Sequence, residues 1–151
     1  MHKVVIHTDG ACRGNPGPGG WAAILQHAER QKELKGAERD TTNNRMEILA
    51  AIEGLRALKG ACIVEVWTDS QYLKKGFTEW MPCWKANQWQ RKEGKQLKPV
   101  KNVDLWQQLD RMAAIHKVTF HWLRGHNGHP LNERCDQLAE QAIDDLLAMQ
   151  G

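Results

Sequence analysis

Four carboxylates stand out by their place in the hydropathy pattern: Asp9, Glu47, Asp69 and Asp136. Asp9 follows the predicted strand Lys3–Thr8, and Asp69 follows the β-branched run Ile63–Thr68. Glu47 lies in a helical pattern, and one, two and three turns on come Ala51, Gly54 and Leu58, a small and apolar face. Asp136 flanks the apolar stripe of a terminal helix, aligned with Ala139 and Ile143. Each has an ordinary role open to it. Asp9 before Gly10 suits a turn, Asp69 could cap a helix starting near Ser70, Glu47 stands three residues after Asn44 as in a capping box, and Asp136 could be a solvated edge residue. A carboxylate facing a sheet, as the neighbours of Glu47 imply, costs several kcal/mol unless a cation or hydrogen bonds compensate. With no His or Cys in the set, an all-oxygen site suits Mg²⁺ or Mn²⁺. Several carboxylates around two such ions can direct in-line attack of water on a phosphodiester, provided that the fold brings them together.

Two further constellations carry chemistry. His126-Asn127-Gly128-His129, followed by Cys135-Asp136, permits a zinc site, although the two histidines flank a flexible Gly and precede Pro130. His126 could equally move protons near neutral pH or be a solvated loop residue. Trp80, Trp84 and Trp89 precede a segment in which Lys85, Arg91, Lys92, Lys95, Lys98 and Lys101 face only Glu93. Indoles among cations suit a nucleic-acid backbone groove, and helical packing of Trp80 on Trp84 is the competing reading. The whole chain nets only +3, so the rest of it is slightly acidic and the positive charge is confined to this segment.

The elements that must position these residues follow from periodicity. Lys3–Thr8 and Trp21–His27 read as strands, with Glu33–Glu38 a weaker third. The intervening residues 10–20 hold five glycines and two prolines, a composition that predicts no regular structure. Helices are predicted over Met46–Leu58, after Asp69, over Asn102–Ile115 and along the stripe from Cys135 to Leu147, with Lys117–Trp122 a further strand. The order predicts an α/β (α+β) mixed sheet with three antiparallel N-terminal strands, later parallel strands and flanking helices. At 151 residues and 41% apolar content the chain reads as one domain, 1–151, able to bury a core without staples. No apolar run exceeds five residues, which excludes a spanning helix. The start interrupts its apolar stretch too early for a signal peptide, so a cytoplasmic chain is expected. Cys12, Cys62, Cys83 and Cys135 form no CxxC pair and read as reduced thiols.

Taken together, four motifs carry a resemblance. Thr8-Asp9-Gly10 with its Gly/Pro-rich sequel, Thr41-Thr42-Asn43-Asn44-Arg45-Met46-Glu47, Thr68-Asp69-Ser70-Gln71-Tyr72, and Gly125-His126-Asn127-Gly128-His129-Pro130 leading to Asn132-Glu133-Arg134-Cys135-Asp136 are similar in order and spacing to bacterial type 1 ribonuclease H. The likeness runs from Lys3 to about Ala142. It implies a five-stranded mixed sheet and an endonuclease that cuts the RNA strand of RNA–DNA hybrids. Asp9, Glu47, Asp69 and Asp136 would hold two Mg²⁺ ions, with Mn²⁺ a possible substitute. One ion would activate water and the other would stabilise the departing 3′ oxygen, giving 3′-hydroxyl and 5′-phosphate ends. His126 would assist proton transfer or product departure. Cys12, Asn15, Asn43, Asn44 and Gln71 would line the hybrid and read 2′-hydroxyls and minor-groove edges, with Thr42 joining Asn15 near a DNA phosphate. The segment from Trp80 to Lys101 resembles the family's basic protrusion, with Trp80, Trp84 and Lys85 its foremost contacts. It departs from the family in one respect: Lys85 is followed by Ala86-Asn87-Gln88, and charge resumes only at Arg91. A separate N-terminal hybrid-binding domain is not expected, and neither is an oligomer. A hybrid-binding module without cleavage, and a relative acting on DNA, are the competing functions; the full carboxylate set disfavours the first and the 2′-hydroxyl-reading amides disfavour the second.

Overall fold

Backbone pairing sets five strands side by side in the order β3-β2-β1-β4-β7. The computed structural model describes residues 1–124 and 128–149. Its elements are β1 (His2–Cys12), β2 (Gly17–His27), β3 (Arg30–Thr41), α1 (Asn43–Arg56), β4 (Cys62–Thr68), α2 (Gln71–Lys75), a π-helical turn (Gly76–Trp80), α3 (Met81–Ala86), β5 (Gln90–Glu93), β6 (Gln96–Pro99), α4 (Val103–Ala114), β7 (Lys117–Trp122) and α5 (Pro130–Ala148). Strands β1, β2 and β3 are antiparallel, whereas β1, β4 and β7 run parallel, as the mixed-sheet expectation required.

Helices cover both faces. Against α1 and α4 the sheet buries Ile6, Val64 and Val66 with Ile48, Ile52, Trp106 and Leu109, each such side chain contributing roughly 1.5–3 kcal/mol. On the other face Ala22 and Ile24 meet Cys135, Leu138 and Ala139 of α5. A Cβ at Gly20 would run into the Ala139 carbonyl oxygen, so this glycine serves the close approach of α5 to β2.

Two expectations need correction, and one further pair of strands has no counterpart in the sequence reading. Residues 10–20 are largely strand, because β1 continues to Cys12 and pairs with Gly19 of β2, leaving only residues 13–16 as connection. The glycines there mark close packing, which composition alone reads as a turn. Glu33–Glu38 is too short a span, for β3 runs from Arg30 to Thr41, its residues held by pairing to β2 and not by an alternating pattern of their own. The basic segment folds as the β5–β6 hairpin, whose eight exposed residues carry no hydropathy period that could announce a strand.

Candidate metal centre and flanking grooves

Parallel pairing of β1 with β4 matches His7 to Trp67, and two residues further along that register Asp9 comes level with Asp69. Glu47 reaches them because Gly10 lets α1 lie on β1: a Cβ at Gly10 would stand 2.6 Å from the Glu47 amide nitrogen. One carboxylate oxygen from each of Asp9, Glu47 and Asp69 lies within 4.8 Å of the other two. Asp136 joins from α5, half-buried and hydrogen-bonded to the Asp9 side chain.

Asn132 sets the height of α5. Buried one turn before Asp136, it donates from Nδ2 to the Trp67 carbonyl at 3.2 Å and to the Thr8 carbonyl at 3.5 Å, while its Oδ1 lies 2.7 Å from His7 Nδ1. Cys135 donates its Sγ–H to the His7 carbonyl at 3.3 Å. The helix that carries Asp136 is thus fixed to β1 beside Asp9 and to the end of β4 beside Asp69.

Burial, followed by the charges of Asp69 and Asp136, pushes the Asp9 carboxyl up to about 9. Burial, then Asp9 and Asp69, holds Glu47 well above the usual carboxylate range. Asp9 and Glu47 are 2% and 3% exposed, and Glu47 Oε1 is buried with no hydrogen-bond partner among the described residues. Like charges gathered in a poorly solvated space oppose ionisation unless a cation offsets them. An all-carboxylate donor set with an unsatisfied buried oxygen fits a hard divalent cation such as Mg²⁺ or Mn²⁺.

The ordinary roles are filled by neighbours. Ser70, not Asp69, caps α2, its Oγ accepting the Leu73 N–H at 3.0 Å. Thr42 caps α1 by accepting the Arg45 N–H at 3.2 Å, which leaves Glu47 free of a capping box. Cys135 of the zinc alternative is buried, bonded to the strand backbone, and its thiol is pushed up by that burial. His126 lies outside the described residues.

A groove of about 470 Å³ is lined by Asn15, Thr42, Asn43, Asn44 and Asn102, so that it borders the first turn of α1, one turn before Glu47. Asn15 Oδ1 accepts the Asn43 N–H at 2.9 Å, joining the β1–β2 connection to the start of α1. Cys12 is half-buried and donates to the Thr41 carbonyl at 3.4 Å, and Gln71 is exposed in the first turn of α2. A second cavity of about 310 Å³ is lined by Trp80, Trp84, Arg91 and Val100. Trp80 meets Tyr72 edge-on at 5.7 Å, and Trp84 packs at 5.5 Å on the buried Trp106, so the indoles serve core and surface together.

Lys85 is not brought to this cavity. Its Nζ pairs with Asp110 at 3.1 Å, on a surface shared with Phe77, Met81 and Pro82. The cations that do line it are Arg91 and Lys101. Tyr72, Asn102 and Asn132 join the site although sequence reasoning does not reach them. Tyr72, the sole tyrosine, and Asn132 lie inside the Asp69 and His126 motifs, whereas Asn102 at the start of a helix carries no local signal.

Residues 1–144 match the family model described as RNase H. A curated ribonuclease H from Hydrogenovibrio crunogenus is 59% identical over 146 residues, spanning 97% of this chain and 99% of that one. Among solved structures, LC9-RNase H1, described as a type 1 RNase H with the type 2 active-site motif, is similar at a TM-score of 0.86 and 31% identity, over 96% of this chain and 74% of its own. LC11-RNase H1, solved in complex with RNA/DNA hybrid, shares the fold at a TM-score of 0.71 and 23% identity, over 95% of this chain and 99% of its own.

Proposed function

The chain belongs to the ribonuclease H family of endoribonucleases, and from that premise we propose that it hydrolyses the RNA strand of RNA–DNA hybrids at the carboxylate centre, leaving 3′-hydroxyl and 5′-phosphate ends. The observation that carries this reading is the convergence of Asp9, Glu47 and Asp69 within 4.8 Å, with an amide-lined groove at the first turn of α1. Asp9, Glu47, Asp69 and Asp136 are the groups to hold two divalent cations. Such ions supply Lewis-acid activation of water and stabilise the departing 3′ oxygen.

The chain's own contributions are positional. Gly10 and Asn132 hold Glu47 and Asp136 against β1 and β4, where Asp9 and Asp69 stand. Cys12, Asn43, Asn44 and Gln71 read the RNA strand through 2′-hydroxyls and minor-groove edges. Asn15 and Thr42 seat a DNA phosphate, and Trp80, Trp84, Arg91 and Lys101 grip the DNA strand further along. His126 takes up or delivers a proton at the departing group, a role assigned on the resemblance alone. Residues 1–151 act as one monomeric domain in the cytoplasm; no helix among the described residues is long and apolar enough to cross a membrane.

End-labelled RNA–DNA hybrid incubated with Mg²⁺, beside RNA–RNA, DNA–DNA and single-stranded RNA, tests the reading. Cleavage confined to the RNA of the hybrid is expected, with new 5′ ends open to a 5′-phosphate-dependent exonuclease. A hybrid that is shifted in a gel and never cut, or equal cutting of DNA–DNA, would overturn it.

A further inference from the structure

The amide-lined groove and the aromatic groove are neighbours, and Tyr72 and Lys101 line both. The wall between them is assembled from elements remote in sequence. Arg45, next after Asn44 on α1, donates from Nη2 to Asp104 Oδ2 at 2.7 Å and from Nη1 to Asp104 Oδ1 at 3.0 Å, a two-pronged bond to the first turn of α4. The same Nη1 donates to Asn102 Oδ1 at 3.2 Å. Asn102 Nδ2 donates onward to the Tyr72 hydroxyl at 3.0 Å, which also accepts the indole N–H of Trp106 at 3.4 Å. Tyr72 in turn supports Trp80. Asn102 is left-handed, with φ 60°, a conformation that persists in a non-glycine residue when its surroundings hold it. Arg45 and Tyr72 provide that hold from either side.

We propose that Arg45 is a positioning residue for substrate: by tying the first turn of α1 to Asp104 and Asn102, it fixes the spacing between the two grooves and so the register of the two strands of a bound hybrid. The inference rests on the reading of the grooves given above. The planar guanidinium supplies the rigidity, since its paired N–H groups match a carboxylate in one geometry that a lysine ammonium cannot reproduce. Asp104 is 56% exposed, so the pair is a weak source of stability. Its value lies in where it holds Asn102 and Tyr72.

The test uses the full chain with Arg45→Gln, Arg45→Lys, Asp104→Asn and the double variant Arg45→Gln/Asp104→Asn. KM and kcat are measured on RNA–DNA hybrids trimmed stepwise from the end on the aromatic groove. Melting temperatures and hybrid affinity by fluorescence anisotropy in EDTA are measured alongside. On a long hybrid Arg45→Gln should raise KM and Kd about two- to fivefold with kcat unchanged, the range expected for an exposed ion pair. Arg45→Lys should resemble it despite keeping the charge, and the double variant should be no worse than either single one. The rise should vanish on hybrids too short to reach both grooves. An unchanged KM on the long hybrid, an equal rise on short and long hybrids, or kcat and melting temperature falling together would overturn the proposal. If the wild-type chain binds hybrid and does not cut it, cleavage fails as a reading while the Kd series still decides the role of Arg45. If it does neither, both fall.

Discussion

The carboxylate centre and the aromatic-basic flank solve opposite problems. At the centre, acids are gathered on strands and helices, Asp9 and Glu47 buried and Asp69 and Asp136 half-buried, with Glu47 and Asp9 pushed far above their ordinary range. On the flank, cations stand on the exposed hairpin and on α3, and two already have acidic partners, Lys98 with Glu93 at 3.7 Å and Lys85 with Asp110. The packed core on both faces of the sheet holds these acids together against their mutual repulsion. Charges on the flank are worth little singly and act by addition, screened by salt. Position is therefore critical in the first region, and number and direction of charge in the second.

The largest break in this contrast comes from neutralising the centre. Asp9→Asn, Glu47→Gln or Asp69→Asn should lower kcat by about 10³-fold or more, since each breaks the carboxylate set proposed to hold the metal. The same variants should melt no lower than wild type in EDTA, because each removes a carboxyl whose ionisation the crowded, poorly solvated site opposes. Hybrid cleavage kinetics and calorimetry check both halves, and near wild-type turnover in any one would contradict the assignment. His126→Ala should be milder, about 10²-fold, at the low end of general acid–base contributions. A loss equal to that of Asp9→Asn would place it with the essential carboxylates.

Metal-free stability sharpens the contrast next. The folded-state value for Asp9 is about 9 against 3.8 in a free chain, so between those limits the native state binds more protons than the unfolded state. Stability in EDTA is then fullest below about pH 4 as far as this group is concerned. It falls as pH rises toward 9, by up to about 1.4 kcal/mol per pH unit for one proton. Glu47 adds to the same trend. Urea melts at pH 5, 7 and 9 should show the decline, Mg²⁺ should reverse it, and Asp9→Asn should flatten it. A rise in stability over that window would refute the electrostatic account.

Effects on the flank are smaller. Replacing Arg91 and Lys101 together by Gln should raise KM several-fold, with kcat at saturating hybrid little changed. It should also flatten the plot of log affinity against log salt by about 0.9 for each phosphate that is no longer neutralised, taking B-DNA as the guide. Lys85→Gln should change least of all: the salt slope should match wild type, with a stability loss of about 0–1 kcal/mol as Asp110 is left without its partner. A Lys85 variant with the larger slope change would reverse the ranking of the two surfaces.

Much of the architecture is legible along the chain. Strand β7 has the limits that its sequence predicts, and β4, α1, α4 and α5 match to within a few residues, because each carries an apolar period that burial on a sheet enforces. The β5–β6 hairpin is not legible, since a strand exposed on both faces has no period. Lys85 draws notice for its place beside Trp84 in sequence, yet adjacent residues of a helix project about 100° apart, and its neighbour in space is Asp110.

By itself the sequence determined which chemistry was available: four acids in sheet-end and helix-face positions, amides near the first helix, and indoles among cations. Those follow from residue type and from periods a few residues long. Convergence was decided by the tertiary structure alone. It depends on the parallel register of β1 with β4, on the approach of α1 at Gly10, and on Asn132 bonding to β1 and β4, one contact joining residues 125 apart in the chain. Local propensity is set by neighbours within a turn or two, whereas the meeting of Asp9, Glu47, Asp69 and Asp136 is set by how two packed faces of one sheet bring distant segments to the same end.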